Sequence, residues 1–404
     1  MLLATGADAA DVSGHVKVND TTRTFPSDSL IRDAVGANSS DLSAELRLNL
    51  DWQSGAWSID ADWQAAVLHG DLNELAAVLP PEVGAAFAAV PNDDRRLMRL
   101  TDVVSTSGDA VVLHRLDRFS LTWTGEQAVV RFGRQALSWG NGLFYAPMDL
   151  VNPFDPATID TEYKNGDDML YGQYLRENGD DVEAAIVFRR DAAGDVEADE
   201  STAAVKYHGF LSELEYDLLV AESYGDPVLG VGLRRGVGGA VLSGDLVVTD
   251  TDDDTVVQLA ANVSYSWVAF GRNMSGAFEY HYNGFGQSDG SYGPAELAAN
   301  PELFERLVRG QLFTLGRHYV AGSVLVEVTP LWNVTPVLLA NAEDPSALLQ
   351  LTSNYSLSDN MTLLGSINLP IGPGGSEFGG IETGIPGRRF STGPSVFAQF
   401  AWYF

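Results

Sequence analysis

Apolar and polar residues alternate with a period of two along most of the chain. From Ala44 to Trp52 every even position is apolar and every odd one polar. After Gln53-Ser54-Gly55, a second apolar face follows in Trp57, Ile59, Ala61, Trp63, Ala65 and Val67, opposed to Ser58, Asp60, Asp62 and Gln64. Two such runs around a short glycine turn predict a β-hairpin. The same pattern recurs at 256–268 and 347–357. The final residues put Val396, Ala398, Phe400, Trp402 and Phe404 on one face.

Marking every such run predicts eighteen strands, at 12–20, 42–52, 56–68, 111–124, 127–139, 168–177, 182–190, 201–209, 211–221, 228–235, 239–249, 256–268, 274–283, 317–329, 333–340, 347–357, 361–369 and 391–404. Sixteen is the alternative, because alternation is weakest in the first strand and across 228–249. Every second connection is short, and all the long ones fall between them. Short turns at one end and long loops at the other are the asymmetry of a transmembrane antiparallel β-barrel, with periplasmic turns and extracellular loops. The expected class is therefore all-β. Residues 12–404 form one barrel domain, with loop insertions at 69–110, 140–167, 284–316 and 370–390. Asp71–Val90 and Pro294–Arg309 read as short helices within two of these loops. Residues 1–11 read as a disordered stretch, a cloning remnant or the tail of a removed signal, since Met1-Leu2-Leu3-Ala4 is too short for a signal peptide's apolar region.

Composition narrows the chemistry. The 404 residues carry 55 Asp+Glu against 24 Lys+Arg, a net charge of −31, which argues against nucleic acid as a partner. With no cysteine, disulfides, thiolate metal sites and cysteine nucleophiles are excluded. No apolar run reaches the 18 or more residues of a membrane helix.

If apolar positions face lipid, the opposite parity faces the lumen. The lumenal acids are then Glu45, Asp51, Asp60, Asp62, Glu183, Glu213, Glu215, Asp217, Asp245, Glu279 and Glu327. The lumenal bases are Arg47, Arg118, Arg131, Arg189, Lys206, Arg234 and Arg317. This implies a wet, charged interior rather than a packed core, with a modest bias toward cations unless acids and bases pair across strands. Trp52, Trp57, Trp123, Trp267, Trp332, Trp402 and Phe404 near the short turns, and Trp139, Tyr145, Tyr280 and Tyr282 toward the long loops, suggest two aromatic girdles.

A constriction is expected as well. Arg118 and Arg131 flank the turn at 125–126, which in a tight hairpin places them nearly opposite each other. The next loop, 140–167, holds Asp149, Asp155, Asp160 and Glu162 and the prolines 147, 153 and 156. Folded into the lumen, it would face the arginine pair and set a transverse field. Arg134 has the wrong parity for the lumen and is expected at the interface or on a bulge. The plainer alternative is that loop carboxylates only neutralise arginines on the wall.

The terminal Ser395–Phe404 segment resembles the C-terminal signal by which Gram-negative outer-membrane barrels are recognised for insertion. Val130-Arg131-Phe132-Gly133-Arg134-Gln135-Ala136-Leu137-Ser138-Trp139-Gly140-Asn141-Gly142 resembles the G-R-Q…W-G stretch of alginate-export-like and related eighteen-stranded porin families. The resemblance implies an outer-membrane channel for small hydrophilic solutes, in contact with membrane lipid and lipopolysaccharide. Alginate exporters are expected to have a strongly basic lumen, and this one is acid-rich, so the polyanionic substrate is not carried over. A plugged barrel that anchors or exports surface polysaccharide, or binds a partner, is the alternative. The oligomeric state is left open by residue type.

Other constellations are weak. Asp250, Asp252 and Asp254 offer oxygen ligands for Ca²⁺ but lack the spacing and glycine of an EF-hand. Glu279 and His281 share a face, yet no catalytic grouping accompanies them. No cofactor and no enzymatic activity are expected.

Overall fold

The computed structural model describes residues 9–78 and 90–404. Its barrel strands are β1 (Ala9–Thr24), β2 (Asn38–Ser54), β3 (Trp57–Gly70), β5 (Ala110–Thr124), β6 (Ala128–Gln135), β7 (Asp167–Leu175), β8 (Asp181–Val187), β9 (Thr202–Leu211) and β10 (Leu214–Ser223). The ring continues through β11 (Asp226–Val237), β12 (Ala240–Asp250), β13 (Thr255–Ala269), β14 (Arg272–Asn283), β15 (His318–Thr329), β16 (Trp332–Asn341), β17 (Ser346–Ser358), β18 (Met361–Ile371) and β21 (Ser395–Tyr403). Each pairs antiparallel with the next, and β21 returns to β1 with His15 opposite Tyr403 and Arg23 opposite Ser395. Eighteen strands thus close with no free edge. Closure satisfies the ladder hydrogen bonds within the ring, as an apolar surround requires. No helix among the described residues is long and apolar enough to cross a membrane.

The alternation places the apolar face outward. Leu50, Leu121, Phe132, Leu218 and Leu349 are exposed, as are Trp57, Trp123, Trp332 and Trp402 near the short turns. Trp139 and Tyr145 do not join an outer girdle. They are only 5% and 6% exposed, because the chain that carries them lies inside the barrel.

One side of the wall is not built by successive strands alone. β6 stops at Gln135, four residues before its expected end, and the chain enters the lumen. β7 begins only at Asp167, where the chain returns. The upper wall is completed by the preceding loop. β4 (Thr101–Ser107) pairs with the upper half of β5, and Arg96 bridges to Arg189 beyond β8. Gly133, at the departure point, has φ +131°, and a Cβ there would lie 2.1 Å from the Phe119 carbonyl, so only glycine fits.

Arg134 keeps outward parity, opposite the exposed Phe119, yet is wholly buried. It bonds Asp168 (2.9 Å), Asp93 (2.8 Å) and the Met98 carbonyl (2.7 Å), while Asp168 also accepts the Met98 amide at 2.6 Å. This ion cluster joins the preceding loop at residues 93–98 to the end of β6 and the start of β7.

The long loops carry α1 (Leu30–Val35), α2 (Asp71–Val78), α3 (Pro294–Ala298), α4 (Pro301–Val308) and a small hairpin of β19 (Ile381–Glu382) and β20 (Arg389–Phe390). The expected helix at Asp71–Val90 is present to Val78, and residues 79–89 lie outside the described residues. Of the expected tail at 1–11, Ala9 onward already belongs to β1.

Candidate functional site

The segment 136–166 leaves the wall and bonds to lumenal side chains on several sides. The Glu279 carboxylate on β14 accepts the backbone amides of Leu143 (2.6 Å), Phe144 (3.2 Å) and Tyr145 (2.7 Å). Asp245 on β12 accepts the amides of Asn141 (2.6 Å) and Gly142 (3.2 Å). A Cβ on Gly140, at φ +97°, would come within 2.8 Å of that same carboxylate, so the glycine of the W-G pair is dictated by the dock. Trp139 donates from its indole to Glu183 at 2.8 Å.

Beneath this entry the segment lays Trp139 and Met148 on inward Ala185, Ala204, Leu219, Ala221, Val228 and Val247. Part of the interior along β8–β12 is therefore a packed apolar layer, not the wet surface expected for the whole lumen. These strands carry small apolar residues inward because the loop rests on them.

The tip of the segment reaches the opposite wall. Lys17 on β1 lies 2.6 Å from Asp160 and 2.7 Å from Glu162. Gln399 on β21 donates to Asp160, Tyr403 to Glu162, and Gln350 on β17 to the Ala157 carbonyl. Burial works against ionising Asp160, but the Lys17 and Gln399 hydrogen bonds outweigh it and hold its carboxyl below the usual range. Burial raises the Asp155 carboxyl. Asp149, buried against Lys164, is pushed up to about 6 by the same cause.

Beside the tip stands a charged wall made by β2, β3 and β5. Arg47 lies 2.7 Å from Asp62 and 2.9 Å from Asp117, and its guanidinium sits 3.9 Å over the Tyr163 ring. Asp117 also meets Arg115 (2.9 Å) and Arg118 (3.0 Å). A cavity of 440 Å³ lies between this wall and the loop. Asp117 and Arg115 are absent from the expected set because of a bulge. Asp62 pairs with Arg118 and Trp63 with Leu116, so Asp117 is an extra residue that inverts inside and outside along the upper half of β5.

The Arg118–Arg131 pair does not form. The register sets Arg134 opposite Phe119 and Arg131 opposite Thr122, because the turn is longer than two residues. Arg131 instead donates to Thr122 at 2.9 Å, and Arg118 to the Lys164 carbonyl. Of the other expected pore residues, Glu45 lies 3.0 Å from His15, Asp60 accepts from Ser120 (3.0 Å), and Arg317 donates to the Gly286 carbonyl (2.9 Å). Glu279 is fully buried, with its oxygens taken by three backbone amides and the Asn262 side chain.

Asp250 accepts from Thr255 on an exposed turn with Asp252 and Asp254. Among the described residues no three His, Asp or Glu side chains are grouped to hold a metal.

A second loop is held by a carboxyl that titrates near neutrality. Glu377 accepts from Tyr319 (2.7 Å), Asn341 (2.9 Å) and the Leu315 amide (3.0 Å). Burial pushes it up to about 7, although the Tyr319 and Asn341 bonds favour ionisation. The folded value lies above the roughly 4.3 of an unfolded glutamate, so its stabilising contribution is complete below that pH and is lost as pH rises through 7. Glu377→Gln is expected to melt with the wild type at pH 4.5 and above it at pH 8, in detergent. An unchanged difference between those two pH values would contradict this.

No protein-family model and no curated protein sequence matches the chain. Among solved structures, OccAB4 of Acinetobacter baumannii superposes with a TM-score of 0.54 over 99% of both chains at 9% identity. OccK5 (OpdH) of Pseudomonas aeruginosa gives 0.53 over 98% of each chain at 10% identity. The fold is that of an outer-membrane porin. At such identity the likeness extends to the architecture alone.

Proposed function

We propose that the chain is a passive channel for small hydrophilic solutes in the outer membrane of a Gram-negative bacterium, with segment 140–167 as its constriction. The observation that carries this reading is the span of that segment. It bonds to β12 and β14 on one side and to β1, β17 and β21 on the other, which confines passage to the space beside its tip. The exposed apolar belt would meet lipid, and the long-loop end would meet lipopolysaccharide. No enzymatic step belongs to this reading.

A mild preference for cations is part of the proposal, on narrower grounds than total acid count. Several lumenal carboxylates are answered by bases, as Asp62 and Asp117 are by Arg47, and Glu183 by Lys206. Asp51, however, stands opposite both Asp60 and Asp11 near the short-turn end, with no base among its register partners. Facing like charges favour a cation between them.

The test is single-channel conductance in a planar bilayer, with the reversal potential under a KCl gradient. Discrete steps and a cation-favouring reversal potential are expected, and Asp51→Asn with Asp60→Asn should move that potential toward zero. Silence where a control porin conducts would overturn the channel reading in favour of a plugged, partner-binding barrel. A reversal potential favouring chloride would refute the cation preference alone.

A further inference from the structure

We propose that the cavity between the loop tip and the wall of β1, β17, β18 and β21 is a binding subsite for a neutral, hydroxyl-rich solute of mono- or disaccharide size. The inference deepens the channel reading and rests on it only for how the solute reaches the site. The cavity measures 660 Å³, within the roughly 300–1,000 Å³ of small-molecule sites.

The argument turns on which atoms are left without partners. The Gln399 amide nitrogen donates to the Asp160 carboxylate at 2.7 Å, and the Gln350 nitrogen to the Ala157 carbonyl at 3.0 Å. Both partners are acceptors only, so each fixes its amide with Nε2 toward the loop. Each Oε1 is then left with no donor among the described residues. Asn19 lines the same cavity. Its Nδ2 donates to Ser43, and its Oδ1 is buried without a partner. Two glutamine oxygens on the cavity lining are therefore free to accept, and beside them the buried Asn19 Oδ1 lacks a partner.

The choice of ligand follows from what can donate. A carboxylate or phosphate brings only more acceptors. A cation would want a free carboxylate, but Asp160 is already met by Lys17 and Gln399, and Glu377 by three donors. Hydroxyl groups donate without charge. The remaining lining includes the phenyl rings of Phe378, Phe390 and Phe397, which offer apolar surface to the C–H face of a sugar ring. Phe397 is inward on β21, in step with Gln399 and opposite in parity to the exposed Val396 and Phe400.

Saturation-transfer NMR with maltose on the detergent-solubilised protein reads binding directly. Block of the ion current by maltose in a bilayer reads the same site in the channel. Binding is expected in the wild type, about fivefold weaker in Gln350→Leu and in Gln399→Leu, the effect of one lost hydrogen bond. Phe397→Leu leaves the amides and the Asp160 tether in place and should weaken maltose as well. Benzoate and choline should not compete. Absence of maltose binding, equal binding in all three variants, or displacement by benzoate or choline would overturn the subsite. A protein that binds maltose yet never conducts refutes the channel reading and keeps the subsite. One that conducts and does not bind maltose does the reverse.

Discussion

Glu279→Gln is expected to free the inserted segment while leaving the barrel closed. The carboxylate accepts three backbone amides, from Leu143, Phe144 and Tyr145, and the Asn262 side chain. Glutamine keeps one acceptor oxygen and turns an NH₂ toward the same donors. Buried donors would then face a donor, at a cost of roughly 3–5 kcal/mol to the docked loop. The ring itself uses none of these bonds, so β14 keeps its ladders to β13 and β15. The variant should retain the slow electrophoretic shift on heating of an intact barrel. Its conductance should rise roughly twofold or more and flicker as the loop leaves and returns. Unchanged, quiet conductance in a folded variant would show that the loop does not govern passage.

The same carboxylate marks where sequence reading reached its limit. The ring was legible because lipid demands an apolar residue at every second position, and that demand does not depend on the interior. Alternation therefore located all eighteen ring strands, although β6 ends at Gln135 rather than 139. What parity could not reveal was the interior's own use of each residue. Glu279 and Asp245 have lumenal parity, as expected, but they hold backbone amides instead of facing water. Asp117 was hidden because one inserted residue in β5 reverses the face of everything beyond it. The Arg118–Arg131 pairing fails for a related reason: register depends on turn length, and this turn is longer than two residues.

One signal for the docked loop was present. In Leu218-Leu219-Val220-Ala221 and in Leu246-Val247-Val248 the alternation lapses and both faces are apolar. A strand apolar on both faces is covered on both faces. Leu219, Ala221 and Val247 are the inward residues on which Trp139 and Met148 pack. The G-R-Q…W-G stretch likewise has a physical reading. Gly133 permits close approach to Phe119, Arg134 secures the broken wall, and Gly140 clears the Asp245 carboxylate.

Arg134 should therefore matter more to stability than any arginine of the lumenal wall. It is completely buried between Asp168 and Asp93, whose carboxylates are also buried. Arg134→Met would remove the charge that answers both and the donor that reaches the Met98 carbonyl. Breaking one partner from a buried ion cluster costs about 3–5 kcal/mol. At this position the loss acts on the place where β6 and β7 stop short and the wall depends on residues 93–107. The expected result is a lower midpoint of urea unfolding in lipid vesicles, with residues near 93–100 becoming the first sites of proteolysis. Arg131→Ala serves as the control, since it loses only a hydrogen bond to Thr122 and should fall by about 1 kcal/mol or less. Adding Asp168→Asn to Arg134→Met removes one orphaned charge and should recover part of the loss. Equal unfolding midpoints for Arg134→Met and Arg131→Ala would mean that the wall closes without the cluster.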